Sequence, residues 1–65
     1  MHKRRKAILD LLLANKHRNV PYREILSTLK LRTLSNVKWH MSKLENDGYI
    51  KITPRKVEVI KYENN

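Results

Sequence analysis

The sequence predicts a small α+β domain in which three helices precede a C-terminal β-hairpin. Apolar residues recur at helical spacing in three segments, a single glycine follows the third segment, and two short alternating segments come after it. The chain has 65 residues, so we expect one domain spanning residues 1–65. A chain this short buries only about 60% of its unfolded surface and therefore depends on a well-packed core.

The first helix is predicted from Lys3 to Asn15. Apolar residues mark one face, and Leu9 and Leu13 lie beside that face. The resulting apolar surface is wider than the stripe that a surface helix normally carries. Either the core surrounds this helix, or the extra surface meets a second copy of the chain. We expect the second arrangement, a homodimer formed through helix one and the last strand.

The second helix is predicted to begin near Pro21, because proline is tolerated in the first turn of a helix. Val20, just before it, is expected to add a short strand to the hairpin sheet. The link to the third helix, residues 30–32, is tight, and Leu31 is expected to fill the corner between the helices. The glycine that usually occurs in such a turn is absent.

The third helix is the most informative segment. Spacings of three and four predict a buried face of Leu34, Val37, Met41 and Leu44. Thr33 or Ser35 can cap its start, and Gly48 ends it because glycine adopts the left-handed conformation readily. The opposite face has no carboxylate and is rich in hydrogen-bonding groups. Its members are Ser35, Asn36, Trp39, Ser42, Lys43 and Asn46.

Two β-like segments follow, at residues 49–53 and 57–63, and Pro54, Arg55 and Lys56 separate them. A turn centred on residues 54 and 55 pairs Thr53 with Lys56, Ile52 with Val57, Lys51 with Glu58, and Ile50 with Val59. This register puts β-branched residues on one face and the Lys51–Glu58 charge pair on the other, so alternation and charge agree. Ile60 and Tyr62 are expected either to cover the helix-one side or to join an interface.

Charge is the strongest compositional signal. Fifteen Lys and Arg against six Asp and Glu give a net charge of +9, which favours polyanionic partners. A ribosomal-type or merely soluble basic protein is the alternative. The absence of cysteine excludes disulfides and thiolate metal sites. Neither a membrane-length apolar run nor a signal-peptide cleavage pattern is present, so we expect a cytoplasmic, nucleoid-associated protein.

The sequence contains no catalytic constellation, and we expect neither enzyme activity nor a cofactor. The six carboxylates are spread singly, apart from Glu45 and Asp47, which point in different directions on a helix. His2, His17 and His40 have no metal-ligand spacing, so no metal site is expected. His40 is predicted to be structural or to contact phosphate.

One pattern across the third helix reads Val37-x-x-His40-Met41-x-x-Leu44-Glu45-x-x-Gly48-Tyr49-Ile50. It resembles the winged helix-turn-helix transcriptional regulators of bacteria and archaea, including the MarR-like and ArsR-like groups and small archaeal or viral repressors. The resemblance implies a three-helix winged helix-turn-helix with a two-stranded β-hairpin wing, and DNA binding. The cysteine-based metal sites of ArsR-like proteins are impossible here, and the extra helices of MarR-like proteins have no room. We therefore expect a bare DNA-binding unit without a small-molecule ligand.

The candidate DNA-binding residues lie on the third helix, just before it, and at the hairpin tip. They are Arg32, Ser35, Asn36, Lys38, Trp39, Ser42, Lys43, Asn46, Arg55 and Lys56. Asparagine can pair bidentately with adenine and lysine can donate to guanine, so helix three is expected in the major groove. The two tip cations are expected to contact phosphate or a minor groove. Trp39 is expected to contact DNA backbone, sugar or a thymine methyl, or otherwise a partner surface or the wing.

These features predict a sequence-specific double-stranded DNA-binding protein, a transcriptional regulator acting as a repressor. One alternative is a non-specific architectural nucleoid protein that uses the same face through phosphates alone. A second is a protein-interaction winged helix of the replication or transcription machinery, since a fold does not fix a function. The acid-free face of helix three argues against the second alternative.

Overall fold

The computed structural model of the protein describes residues 3–16 and 18–62. In chain order its elements are α1 (Lys3–Ala14), α2 (Tyr22–Thr28), α3 (Leu34–Asn46), β1 (Ile50–Ile52) and β2 (Val57–Val59). Three helices followed by an antiparallel hairpin form a winged helix-turn-helix, so the predicted fold class is confirmed. His2, His17 and residue 63, the predicted end of the second β-like segment, lie outside the described residues.

The core lies where the three helices and the hairpin meet. Its buried apolar side chains are Ile8, Leu9, Leu12, Val20, Ile25, Leu31, Val37, Met41, Leu44 and Ile50. Leu9 is 0% exposed, so the expectation that it extends a surface for a second copy is wrong. The physical reason is that α1 packs against both α3 and β2, which uses its wide apolar surface inside the monomer. Leu13 is half-buried.

The turn between α2 and α3 forms without glycine. Lys30 takes the left-handed conformation there, with φ of 54°. Its N–H donates to the Ser27 carbonyl (3.4 Å), and the Leu31 N–H donates to the Leu26 carbonyl (2.9 Å). These two bonds form a Schellman motif, which satisfies carbonyls at the helix end. Leu31 is buried at the corner between the helices, as predicted.

The end of α3 repeats this motif with glycine. Gly48 has φ of 83°, and its N–H donates to the Glu45 carbonyl (3.0 Å). The Tyr49 N–H donates to the Leu44 carbonyl (2.9 Å). Gly48 therefore ends the helix as the sequence predicted, and it directs the chain into β1.

The start of α2 differs in two details from the prediction. Pro21 is extended (φ −63°, ψ 148°) and precedes the helix as its N-cap, so the first helical residue is Tyr22. Val20 adds no strand to the sheet, which has two strands within the described part of the chain. Its side chain is buried in the core instead. The Asn19 side-chain amide donates to the Arg55 carbonyl, so a side chain joins this loop to the hairpin where a strand was expected.

The predicted hairpin register is confirmed. Ile50 pairs with Val59, Lys51 with Glu58, and Ile52 with Val57, and the Thr53 N–H donates to the Lys56 carbonyl (2.9 Å). Both strands are shorter than predicted.

The charges on the outer face of the hairpin are arranged differently from the predicted pair. The Glu58 carboxylate lies 3.6 Å from the amine of Lys56, the residue just before β2, and this contact takes the place of the expected ion pair with Lys51.

The segment after β2 covers part of α1. The Tyr62 hydroxyl donates to the Asp10 carboxylate, and the Lys6 amine lies 5.5 Å from the centre of the Tyr62 ring. Tyr62 therefore covers the helix-one side, one of the two arrangements expected for it. Ile60 is 56% exposed and remains on the surface.

Candidate nucleic-acid interface

The exposed face of α3 is positioned by a capped start and a buried opposite side. The Thr33 hydroxyl accepts a hydrogen bond from the Asn36 N–H (3.2 Å), so Thr33, rather than Ser35, is the cap. Burial of Val37 and Leu44 fixes the rotation of the helix. The predicted outer face is turned away from the core: Ser35, Ser42, Lys43 and Asn46 are exposed and Asn36 is half-buried.

Trp39 stands at the centre of this face and is 53% exposed. Two cations flank its indole, the Arg5 guanidinium 5.6 Å and the Lys43 amine 5.5 Å from the ring centre. The buried His40 ring meets it edge-on at 5.1 Å. Contacts on several sides restrict the indole, and cations near an aromatic ring are attracted to its negative face. The exposed indole is therefore in contact with Arg5, Lys43 and His40.

Arg5 belongs to this surface, although it is not among the DNA-binding residues predicted from the sequence. It comes from the first turn of α1, and its guanidinium also lies 3.9 Å from the Asp47 carboxylate. The only sequence signal for it is the run of cations at residues 3–6. Positive charge at a helix N-terminus opposes the helix dipole, which suggests a use outside the helix.

His40 is structural in position. It is 6% exposed and packs within the same helix face that buries Met41. Of its two predicted roles, burial fits the structural one.

The tip of the wing is held by hydrogen bonds between Thr53 and Lys56, on either side of the turn. The Thr53 hydroxyl donates to the Lys56 carbonyl (2.8 Å) and accepts from the Lys56 N–H (3.1 Å). The Asn19 amide holds the Arg55 carbonyl from the other side. The side chains of Arg55 and Lys56 are exposed on this fixed turn.

Glu45 connects α3 to the wing. Its carboxylate accepts a hydrogen bond from the Ile52 N–H at 2.9 Å, so β1 is tied to α3 by a side chain. Glu45 belongs to the sequence pattern that resembles the family, but no role for its side chain was predictable from that pattern. Its carboxylate is engaged on the wing side of the helix, which leaves the centre of the outer face without acids.

A shallow groove separates the α1–α2 loop from the wing. Its lining is Lys16, Arg18, Asn19, Arg55, Lys56 and Val57. The Arg18 guanidinium donates twice to the Glu24 carboxylate, at 3.0 and 2.5 Å. These hydrogen bonds hold the pKa of Glu24 below its usual value. The Arg18 charge is therefore neutralised locally, and the cations of Lys16, Arg55 and Lys56 dominate the groove.

Arg32 and Lys38 complete the predicted set. Arg32 is exposed just before the Thr33 cap, and Lys38 is exposed on the first half of α3. The structure thus gathers the helix candidates on one element and the two wing cations on another, with β1 leading from the first to the second.

Comparison with known families identifies this arrangement. Residues 1–51 match the winged helix-turn-helix DNA-binding family. The chain belongs to this family. DNA is therefore its partner, and regulation of transcription is the function that membership supports. The match includes α1–α3 and ends within β1, so the wing tip lies beyond it. Neither a curated protein nor a solved structure matches the chain.

Within residues 3–16 and 18–62, no three His, Asp or Glu side chains are grouped so as to hold a metal ion. In the same part of the chain, no helix has the length and apolar character needed to cross a membrane.

Proposed function

We propose that the protein is a sequence-specific double-stranded DNA-binding repressor of transcription. In this proposal α3 enters the major groove, and the wing contacts the flanking backbone or the adjacent minor groove. One observation carries the proposal. The outer face of α3 presents donors and an exposed tryptophan without a competing carboxylate, while Glu45 is engaged at its edge with the wing.

The residues of α3 would divide between base edges and backbone. Asn36 and Lys43 are the proposed base readers, because their groups suit adenine and guanine edges in the major groove. Ser35, Ser42 and Asn46 would contact base edges or neighbouring phosphates. Trp39 would pack against sugar or a thymine methyl. Arg32 and Lys38 would fix the position of the helix through phosphates.

The wing would supply contacts that do not depend on sequence. Arg55 and Lys56 are exposed on a turn that Thr53 and Asn19 hold in place. A fixed turn loses little conformational freedom on binding, which favours contact with phosphate or with a narrow minor groove. The Lys56 amine also lies near Glu58, but the two side chains are 61% and 45% exposed, so the ion pair is weak and yields to phosphate.

A non-specific architectural protein is the second candidate, and the net charge of +9 favours it. Phosphate contacts alone give binding that is nearly independent of sequence and strongly dependent on salt. A protein-interaction module is the third candidate, and it would not need the cations of the wing.

The oligomeric state stays a prediction. With Leu9 buried in the monomer, a homodimer through helix one and the last strand depends on Leu13 and the exposed Ile60. Sedimentation equilibrium at micromolar concentration tests it. A single species of 7.8 kDa would contradict the dimer, and the repressor would then bind a single half-site.

Selection followed by competition tests the repressor proposal. A library of random duplexes is selected for binding, and the recovered sequence then competes with unselected duplex at fixed salt. A specific regulator prefers its selected site by about 1,000-fold or more. Equal competition by both duplexes would favour the architectural candidate, and no binding to either would favour the protein-interaction module.

A further inference from the structure

The first turn of α1 is unusually basic. It contains Lys3, Arg4, Arg5 and Lys6 and no acid. Helix N-termini carry a partial positive charge and are stabilised by acids, so four cations at this place reduce the stability of the helix. Lys6 is engaged with the carboxylate of Asp10, one turn further along α1. Arg5 points the other way, toward α3.

The contacts of Arg5 with Trp39 and Asp47 do not satisfy all of its hydrogen-bond donors. Its guanidinium lies 5.6 Å from the centre of the Trp39 ring and 3.9 Å from the Asp47 carboxylate. Its buried Nε has no hydrogen-bond acceptor among the described residues. A 3.9 Å separation is too long for a hydrogen bond, and Asp47 is half exposed to solvent. Such an ion pair contributes little to stability.

A DNA phosphate would be a better partner for this guanidinium. Arginine binds phosphate through short, charge-assisted and often bidentate hydrogen bonds. The indole that Arg5 approaches is itself on the proposed DNA-binding face, and Lys43 approaches the same ring. A strand of DNA against Trp39 would therefore bring its phosphates toward both cations.

We propose that Arg5 is a phosphate-contacting residue of the DNA interface, and that Asp47 holds it until DNA takes the place of that carboxylate. The interface then extends from α3 onto the first turn of α1. Trp39 keeps the guanidinium close to the surface in both states. This inference rests on the proposed function, since it requires DNA on the outer face of α3.

A double-mutant cycle with random-sequence duplex DNA of about two helical turns tests the exchange. Anisotropy titrations between about 50 and 200 mM salt give the affinity and its salt dependence. Arg5→Gln should weaken binding on the order of fivefold and reduce the salt slope by about 0.9, the value for one phosphate contact. Asp47→Asn should strengthen binding, and most of that gain should disappear in the Arg5→Gln background.

Two comparisons make the outcome specific. Arg5→Lys retains the charge and should keep most of the salt slope, which separates a phosphate contact from a packing effect. If Asp47→Asn strengthens binding equally in the presence and absence of Arg5, the carboxylate acts only through its charge and the exchange is refuted. An unchanged salt slope in a folded Arg5→Gln variant also refutes it. Circular dichroism verifies folding, and Asp47→Asn changes an exposed side chain that the core does not need.

Trp39 gives an independent readout, because it is the single tryptophan of the chain. Acrylamide quenching of its fluorescence should fall when random duplex is added to the wild type. If quenching stays the same while anisotropy reports binding, the DNA does not contact Trp39. That result would refute both this inference and the proposal that the outer face of α3 binds DNA. If quenching falls but Arg5 variants bind as the wild type does, only the inference fails.

Discussion

The two Schellman motifs allow the free-energy cost of a positive φ at a non-glycine residue to be measured by two opposite substitutions. Lys30 and Gly48 occupy equivalent positions after α2 and α3, with φ of 54° and 83°. A side chain in the left-handed conformation costs about 1–2 kcal/mol, and glycine loses about 0.5–1 kcal/mol more than other residues through its freedom in the unfolded chain. Lys30→Gly should therefore stabilise the fold by about 0.5–1 kcal/mol.

The reverse change should have the opposite effect. A Cβ built on Gly48 meets no atom within 4 Å, so Gly48→Lys introduces no clash and isolates the backbone cost. We expect it to lower the free energy of unfolding by about 1 kcal/mol. For a domain of this size, 1 kcal/mol changes Tm by about 4–8 °C.

Thermal and urea unfolding, followed by circular dichroism at 222 nm, measure both variants. Lys30→Ala is the matched control, because it removes the same charge and keeps the left-handed residue non-glycine. Its stability should stay within about 0.5 kcal/mol of the wild type. If Lys30→Gly is no more stable than Lys30→Ala, the positive φ carries no cost and the reasoning about the turn is wrong.

Four other changes test the interface and the fold. Asn36→Ala should weaken binding to the selected site by about 1–3 kcal/mol with little change in Tm; equal losses on selected and random DNA would exclude base reading. The double variant in which alanine replaces both Arg55 and Lys56 should bind every DNA sequence more weakly, and its salt slope should fall by about one to two phosphate contacts. An unchanged salt slope would show that the wing does not contact DNA. Leu9→Ala should lower the free energy of unfolding in urea by about 2–5 kcal/mol, because the side chain is wholly buried. A loss below about 1 kcal/mol would show that Leu9 is not part of the core. The hydrogen bonds from Arg18 lower the pKa of Glu24, so the ionised carboxylate stabilises the fold above its ordinary pKa of 4.5, and this contribution is lost as pH falls through the lower folded value. Glu24→Gln should therefore lose less stability on acidification than the wild type. Parallel curves of stability against pH for the two proteins would contradict the assignment.

The helical face of α3 and the hairpin register were predictable because each is set by local periodicity. Val37, Met41 and Leu44 at spacings of three and four identify one side of a helix regardless of its neighbours. The register followed from alternation around Pro54 and Arg55, since a shift by one residue would expose the whole apolar set.

The features that the sequence did not reveal depend on contacts between distant segments. Leu9 extends an apolar surface in sequence, but only the packing of α1 against both α3 and β2 decides that the surface is internal. Val20 is apolar in either case, so its sequence does not distinguish a strand residue from a core residue. Lys30 carries no local signal for a left-handed turn, because glycine is the usual residue there.

Within the candidate site, the residues on α3 were predictable and their partners were not. Trp39 was placed on the outer face by helical spacing alone, and it lies there. Arg5 reaches the same face across 34 positions of sequence, and Glu45 reaches the wing strand seven positions later. A carboxylate and a guanidinium have many possible partners in a basic chain, so composition could not single out these contacts.

Mapping of backbone amide chemical shifts during a titration with duplex DNA tests the central claim most directly. We predict the largest changes along the outer face of α3, at the wing tip around Arg55 and in the first turn of α1. Amides at Ile60–Tyr62, on the side that covers α1, should change little. Changes concentrated at Ile60–Tyr62, with α3 unaffected, would contradict the claim that the outer face of α3 binds DNA.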